Sequence, residues 1–209
     1  IRTNIEGTYN VLEAARNKAV EQIIITSTSE VYGSAQYSPI DEMHPLVGQS
    51  PYAATKIAAD QLALSYFRSF DSPVKIVRPF NTYGPRQSAR AIIPTVIAQC
   101  QAGEAELQLG NLSPTRDLTY VKDTCAAFLE IYRSKACFGQ VVNVGMSNEI
   151  SIGELAMKIA KLMQVNIEIT EDVGRVRPQK SEVDRLICDN ERLSPISSWR
   201  PAYDLSRGL

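Results

Sequence analysis

Histidine is almost absent from this chain. A single one, His44, stands beside Pro45 in a polar stretch without Cys or His neighbours, so no imidazole-based metal centre is expected. Cysteine is nearly as sparse, and the four at positions 100, 125, 137 and 188 show no Cys-x-x-Cys spacing. In 209 residues that pattern predicts buried free thiols rather than a disulfide framework. Neither sign of charge is in excess, with 22 Lys and Arg against 23 Asp and Glu, which removes the electrostatic case for nucleic acid or an anionic membrane as partner. No apolar run approaches the roughly 20 residues that a transmembrane helix needs, and no basic segment leads into an apolar one at the N-terminus. What remains is an ordinary globular composition, 44% hydrophobic and 22% charged, expected to be cytoplasmic and to form one core and a small second lobe.

Helical and strand patterns alternate along the chain. Ile5, Val11, Leu12 and Ala15 mark an amphipathic helix over 4–18, and the Ile-rich run at 22–26 suits a buried parallel strand. A polar stretch follows to Gln49, and Pro51, in a favourable first-turn position, opens a second helix reaching Phe70. Val74 to Val77 reads as another buried strand ending at Pro79. A helix is predicted over 90–101, short strands at 107–109 and 116–119 around a Gly110-Asn111 turn, and a helix over 121–134 leading to a strand at 141–144. Ser151 with Glu154 forms a capping-box pattern, and 166–170 is the last clear strand. The alternation predicts an α/β doubly wound parallel sheet with a smaller lobe after Pro79.

Two constellations carry chemistry. Tyr52 and Lys56 are four residues apart, hence one turn apart on one helix face. At ~4 Å and an effective dielectric near 20, the ammonium is worth about 4 kcal/mol to a phenolate, enough to bring a tyrosine pKa from near 10 down to roughly 7. The expectation is a phenolate able to take a proton from a hydroxyl while hydride leaves the same carbon. The second constellation is Thr26-Ser27-Thr28-Ser29-Glu30-Val31-Tyr32-Gly33, directly after the Ile-rich strand. Ligands bind at the carboxyl ends of strands in open α/β sheets, so the Thr28 hydroxyl and the Glu30 carboxylate fall where a substrate is expected. The bland alternatives are a surface lysine beside a half-buried tyrosine, and a turn whose hydroxyls satisfy their own backbone.

Together with Arg78-Pro79-Phe80-Asn81-Thr82-Tyr83-Gly84-Pro85-Arg86, these motifs resemble the extended short-chain dehydrogenase/reductase family. The likeness continues through Thr3-Asn4-Ile5-Glu6-Gly7-Thr8, Arg116-Asp117-Leu118-Thr119-Tyr120-Val121-Lys122-Asp123, Asn143-Val144-Gly145, Ser151-Ile152-Gly153-Glu154-Leu155 and Trp199-Arg200-Pro201. It implies a partial Rossmann-type NAD-binding domain (1–79 and 116–144) and a smaller α/β substrate lobe (80–115 and 145–209). By the same resemblance Tyr52 is the catalytic base, Lys56 holds the nicotinamide ribose, Thr28 is the hydroxyl partner and Phe80 lies near the nicotinamide. Asn81, Arg116 and Arg177 are expected on the substrate's nucleotide diphosphate, whose oxygens a guanidinium fork matches. A homodimer of the full-length parent is implied as well.

The likeness is incomplete. The family's glycine-rich turn for the pyrophosphate is missing, as is the acid that reads the adenosine ribose. We expect a fragment lacking roughly three βα steps, on the order of 90 residues, with tight NAD binding and activity belonging to the parent protein. After Thr28 come Ser29 and Glu30. The resemblance implies that Glu30 removes the sugar C5 proton once C4 is oxidised, since epimerases of the UDP-galactose type lack a carboxylate there. Ser29 stands where dTDP-glucose dehydratases carry Asp, as in GDP-mannose dehydratases and UDP-glucuronate decarboxylases, so dehydration and decarboxylation stay open on this pair. The stretches 35–42, 48–52 and 87–94 are most similar to 4,6-dehydratases of legionaminic-acid-type pathways acting on UDP- or GDP-N-acetylglucosamine. A 4-epimerase and a non-catalytic NAD-binding or scaffold remnant are the other readings.

Overall fold

Four consecutive β-branched residues, Ile23 to Thr26, disfavour helix and suit a strand packed on both faces. The computed structural model, which describes residues 1–103, 106–172, 174 and 183–209, places them in an alternating α/β chain. A π-helical turn (Arg2–Glu6) runs into α1 (Gly7–Asn17), followed by β1 (Ile23–Thr26), α2 (Pro51–Phe70), β2 (Val74–Pro79), β3 (Asn81–Tyr83) and α3 (Ile92–Ala102). Then come β4 (Glu106–Leu109), β5 (Thr115–Arg116), β6 (Leu118–Tyr120), α4 (Val121–Arg133) and β7 (Val141–Val144). The chain continues through β8 (Ile150–Ser151), α5 (Ile152–Leu162), β9 (Glu168–Glu171) and α6 (Leu205–Gly208).

Among the described residues, β1, β2 and β7 form a parallel sheet in that order, with Thr26 opposite Val77 and Arg78 opposite Asn143. Ile23, Ile25, Val74 and Ile76 point to one face and pack against Leu12 of α1 and Ala63, Leu64 and Tyr66 of α2. Val77, Val142 and Val144 point to the other, where Ala127 and Ile131 of α4 cover them. Helices on both faces make this the doubly wound arrangement expected from the sequence. Leu193 and Trp199 complete the second face, and the indole N–H of Trp199 donates to the Asp123 carbonyl at 2.9 Å.

A second core lies beyond Pro79. Ile93, Val96 and Cys100 of α3 pack with Leu107 and Leu109 of β4, Leu118 of β6, and Leu155, Ala156 and Ile159 of α5. The capping box at Ser151 and Glu154 forms as expected and starts α5. The strands around Gly110-Asn111, however, do not pair with each other. β4 runs parallel to β9 and β5 antiparallel to β8. The Asn111 side chain accepts the Ser113 N–H at 3.0 Å, an Asx turn that sends the chain onward instead of reversing it. All four cysteines are free, but the expected burial holds only for Cys100, Cys137 and Cys188; Cys125 is exposed on α4. No helix among the described residues is long and apolar enough to cross a membrane.

One buried cation anchors the sheet to α4. Lys75 of β2 is 1% exposed, and its ammonium donates to the Ile131 and Tyr132 carbonyls at 2.9 Å each and to Gln22 Oε1 at 2.8 Å. It thereby satisfies carbonyls that the last turn of α4 leaves open, at the end where the helix dipole favours positive charge. Lys75→Met should therefore cost about 2–4 kcal/mol of unfolding free energy in urea titrations, because three acceptors lose a charged donor at once. A loss below about 0.5 kcal/mol, the usual range for surface changes, would contradict this role.

Candidate active site

The carboxyl end of β1 builds the first wall of the site. Ser27 N–H still bonds to the Val77 carbonyl at 2.7 Å, after which the chain leaves the sheet. Thr28 takes an extended conformation and caps a short 3-10 turn (Ser29–Tyr32), its Oγ1 accepting from Glu30 N–H at 3.3 Å. Gly33 closes that turn with φ 64, and a Cβ there would meet Gln49 Oε1 at 2.8 Å. The start of α2 forms the opposite wall. Ser50 caps it by accepting the Ala53 N–H at 3.1 Å, Pro51 occupies the first turn, and Asn4 Nδ2 donates to Thr55 Oγ1 at 2.9 Å. The end of β2 supplies the rear.

These walls enclose a cavity of about 270 Å³ lined by Thr28, Ser29, Glu30, Tyr52, Phe80 and Asn81, with Ser27, Pro79 and Thr82. Six positions singled out in the sequence thus meet at one place. Lys56 lies one turn along α2 from Tyr52 and donates through Nζ to the Thr26 carbonyl at 2.6 Å. Asn81 Oδ1 is buried without a partner among the described residues. Arg116 is elsewhere: its guanidinium donates to the Thr115 and Val183 carbonyls at 2.8 and 2.7 Å, and it lines a separate cavity of about 470 Å³ with Met146, Asn148 and Lys158. Arg177 falls outside the described residues.

The electrostatics of Tyr52 differ from the sequence expectation. Its pKa lies above the ordinary tyrosine value, raised first by partial burial and further by the Glu30 charge, against a hydrogen bond with the Thr28 hydroxyl that lowers it. The expected drop due to Lys56 is not realised. The Lys56 ammonium is turned onto the Thr26 carbonyl, and its own pKa is lowered by burial and pulled back up by Asp60. Thr28 caps the turn through Oγ1 and also hydrogen-bonds Tyr52, so the backbone reading of that hydroxyl does not exclude contact with the tyrosine.

A family model described as GDP-mannose 4,6 dehydratase matches residues 1–209. The chain belongs to that family. Its motifs and relatives place it within the extended short-chain dehydrogenase/reductases. It is 32% identical over 212 residues to the low-salt glycan biosynthesis protein Agl12 of Haloferax volcanii, covering 100% of this chain and 66% of that protein. Among solved structures it is similar to dTDP-glucose 4,6-dehydratase from Bacillus anthracis in complex with NAD, with a TM-score of 0.90, 30% identity, and coverage of 99% of this chain and 65% of that one. UDP-glucuronic acid 4-epimerase from Bacillus cereus, in complex with UDP-glucuronic acid and NAD, gives a TM-score of 0.90 at 27% identity with coverage of 99% and 65%. The chain therefore spans just under two thirds of the length of these relatives.

Sequence reasoning missed the polar floor beneath the cavity of this family member. Asp60 Oδ2 accepts from Ser27 Oγ at 2.8 Å and from Arg78 Nε and Nη2 at 3.0 and 2.9 Å. Arg78 Nη1 donates to the Tyr32 hydroxyl at 2.9 Å, and Tyr32 in turn donates to Asn143 Oδ1 at 2.7 Å. Burial pushes the Tyr32 hydroxyl up to about 12, which keeps it a donor and not a phenolate. The available signal was Asp60 at four residues from Lys56, an i,i+4 acid on a helix already marked as functional. His44 also belongs to this floor. Its ring Nε2 accepts from Gln36 N–H and Nδ1 bonds the Pro45 carbonyl, both at 2.9 Å, so it acts as a loop pin.

Asp117, next to Arg116, pins the rest. Its carboxylate accepts backbone N–H groups of Met146 at 2.7 Å and Cys188 at 3.0 Å, clamping the loop after β7 to the segment at 183–190. Gly145 is required there, since a Cβ would come within 2.3 Å of Cys188 Cβ. Burial outweighs these bonds and raises the Asp117 pKa from 3.8 to about 6. A raised carboxyl pKa favours the folded state at low pH: the contribution is complete below the unfolded value near 3.8 and is lost as pH rises through about 6. Relative to Asp117→Asn, the unmodified chain should lose about 2–2.5 kcal/mol of unfolding free energy between pH 4 and 7, most of the roughly 3 kcal/mol that ~1.4 kcal/mol for each pH unit separating the folded and unfolded pKa values allows. Parallel stability curves for the two in urea titrations across that range would refute the raised value.

Proposed function

We propose that this chain carries the catalytic part of an NAD-dependent nucleotide-sugar 4,6-dehydratase. The observation that supports the reading best is the meeting of Thr28, Glu30 and Tyr52 on one cavity at the carboxyl ends of β1 and β2. The donor set fits the nicotinamide-ribose end of NAD, because Lys56 directs one N–H to Thr26 and retains others, and the cavity is hydroxyl-lined with Phe80 at its rear. When bound, NAD supplies the acceptor, and later the donor, of the sugar's hydride. Tyr52, bonded to Thr28, removes the C4 hydroxyl proton. Lys56 holds the ribose. Glu30 would then take the C5 proton made acidic by the C4 ketone and pass it to the departing C6 hydroxyl, which leaves as water; with a hydride restored to C6 and a solvent proton to C5, the product would be a 4-keto-6-deoxy sugar.

The buried Asn81 Oδ1, lacking a donor among the described residues, is assigned to the substrate. Arg116 and Arg177 are assigned to its diphosphate, and UDP- or GDP-N-acetylglucosamine is the proposed substrate. We further propose two lobes, 1–79 with 116–144 for the cofactor and 80–115 with 145–209 for the substrate. Homodimerisation is proposed through α1 and α2, where Tyr9, Val11 and Phe70 are exposed. Ser29 favours a second reading. It is 2% exposed and, unlike an aspartic acid, cannot protonate a departing water, whereas decarboxylation of a UDP-glucuronate needs no such acid.

Mass spectrometry in deuterated water, on the parent protein with UDP-N-acetylglucosamine and no added reductant, separates these. Loss of water with deuterium at C5 is the expected result; loss of carbon dioxide from UDP-glucuronate instead would replace the reading by the second. Tyr52→Phe should reduce C4 oxidation at least 100-fold, the lower end of general-base contributions. Glu30→Gln should still reduce the bound NAD, seen by absorbance, yet release no water. Normal turnover by Glu30→Gln would remove Glu30 as the C5 base.

A further inference from the structure

Tyr52, Lys56 and Asp60 follow each other at four-residue steps on α2, so they descend one face of the helix from the cavity into the core. Asp60 is fully buried and its two carboxylate oxygens are used unequally. Oδ2 takes all three donors, from Ser27 and the Arg78 fork, while Oδ1 is buried and has no partner among the described residues. A bare buried carboxylate oxygen is costly, so its retention calls for a use. Lys56 is the next cation along the face, and its ammonium sits on the carbonyl of Thr26, the residue before the serine that Asp60 holds.

We propose that Asp60 is a positioning residue for Lys56, holding the ammonium over the Thr26 carbonyl by direct attraction along the helix face, with the Ser27 hydrogen bond serving only to seat the carboxylate. This rests on the reading of Lys56 as the ribose-holding lysine. The charged and titratable groups around Lys56 are Tyr52 and Asp60 on α2, Glu30 in the turn after β1, and Arg78 at the end of β2. Burial drives Lys56 toward the neutral amine, and Asp60 is the charge that opposes it. Arg78 bonds the same carboxylate through Oδ2 alone, leaving Oδ1 without a donor among the described residues. Removing Asp60 leaves Arg78 and Lys56 as two cations without the anion between them.

The test is competitive labelling of lysines in the purified chain with acetic anhydride from pH 7 to 11, with Lys56 followed by peptide mass spectrometry against exposed Lys135. Asp60→Asn should raise the reactive-amine fraction of Lys56 about tenfold at a given pH, as a pKa lower by about one implies. Asp60→Glu should restore it in part. Ser27→Ala, which removes a hydrogen bond but keeps the charge, should label as the unmodified chain does. Where circular dichroism shows Asp60→Asn unfolded, Asp60→Asn with Arg78→Met removes the buried pair as a unit and carries the same expectation. Unchanged Lys56 labelling in a folded Asp60 variant overturns the proposal, as does an equal change in Ser27→Ala. Labelling needs no turnover, so failure of the dehydratase assay and failure of this positioning role are read separately.

Discussion

The buried ion pair between Asp60 and Arg78 is the contact on which the site depends. Two charges removed from water cost several kcal/mol each, and their attraction offsets that only where further hydrogen bonds complete the shell. Here the shell is supplied by Ser27 from the end of β1 and Tyr32 from the following turn, and Tyr32 hands the chain of bonds to Asn143 on β7. One helix and the carboxyl ends of β1, β2 and β7 are thereby tied at a single polar node. Sliding β2 by one residue would turn Arg78 away from Asp60 and leave a buried charge unpaired, and sliding β1 or β7 would break the Ser27 or Asn143 bond, so the node opposes register slip at the level where ligands bind. The catalytic candidates stand on this node; Thr28 and Glu30 sit one to three residues beyond Ser27, and Lys56 one turn before Asp60.

The same device recurs at lower charge. Asp117 gathers the loop after β7 and the 183–190 segment through backbone N–H groups, and Asp123 accepts the N–H groups of Ala202 and Tyr203 at 3.0 Å each. Both aspartates lie at β6 and α4, so the connections between the sheet core and the second core are held by carboxylates that accept from backbone. An apolar contact would tolerate sliding, whereas a carboxylate accepting two or more N–H groups allows one geometry. Rigidity between the cores is therefore concentrated in a few buried acids. The price is a carboxyl such as Asp117, raised toward neutrality by its burial.

What the sequence made legible follows from which forces act locally. Strand β1, helix α2 with its Ser50-Pro51 start, and the Ser151–Glu154 capping box depend on neighbours within a few residues, and each formed where expected. Partners distant in sequence were not legible. β4 found β9 about sixty residues on because Leu107 and Leu109 needed a wall shared with α3 and α5, which no turn motif at Gly110-Asn111 records. The gathering of Thr28, Glu30, Tyr52, Phe80 and Asn81 followed from the rule that strand ends carry ligands. The Asp60–Arg78–Tyr32–Asn143 floor did not, since a charge pair across eighteen residues has no spacing signature.

Tyr52 shows where a spacing argument stops. Four residues on a helix guarantee that Tyr52 and Lys56 share a face, but not that the ammonium faces the phenol; a flexible four-carbon stem lets the backbone carbonyl of Thr26 take it. Glu30, required as a carboxylate to accept a proton from C5, meanwhile raises the phenol that the first step needs ionised. Under the proposed reaction these two demands fall in sequence: the hydroxyl proton leaves at C4 before C5 becomes acidic. Thr28 links the two only through the backbone: its hydroxyl bonds Tyr52 and accepts the Glu30 N–H that caps the turn. A substrate hydroxyl between Tyr52 and Thr28 would exclude water and strengthen every charge interaction there. Under that proposed reaction, one short turn would carry the base for the second step and also raise the phenol of the first, so filling of the space by substrate would be what relieves the opposition.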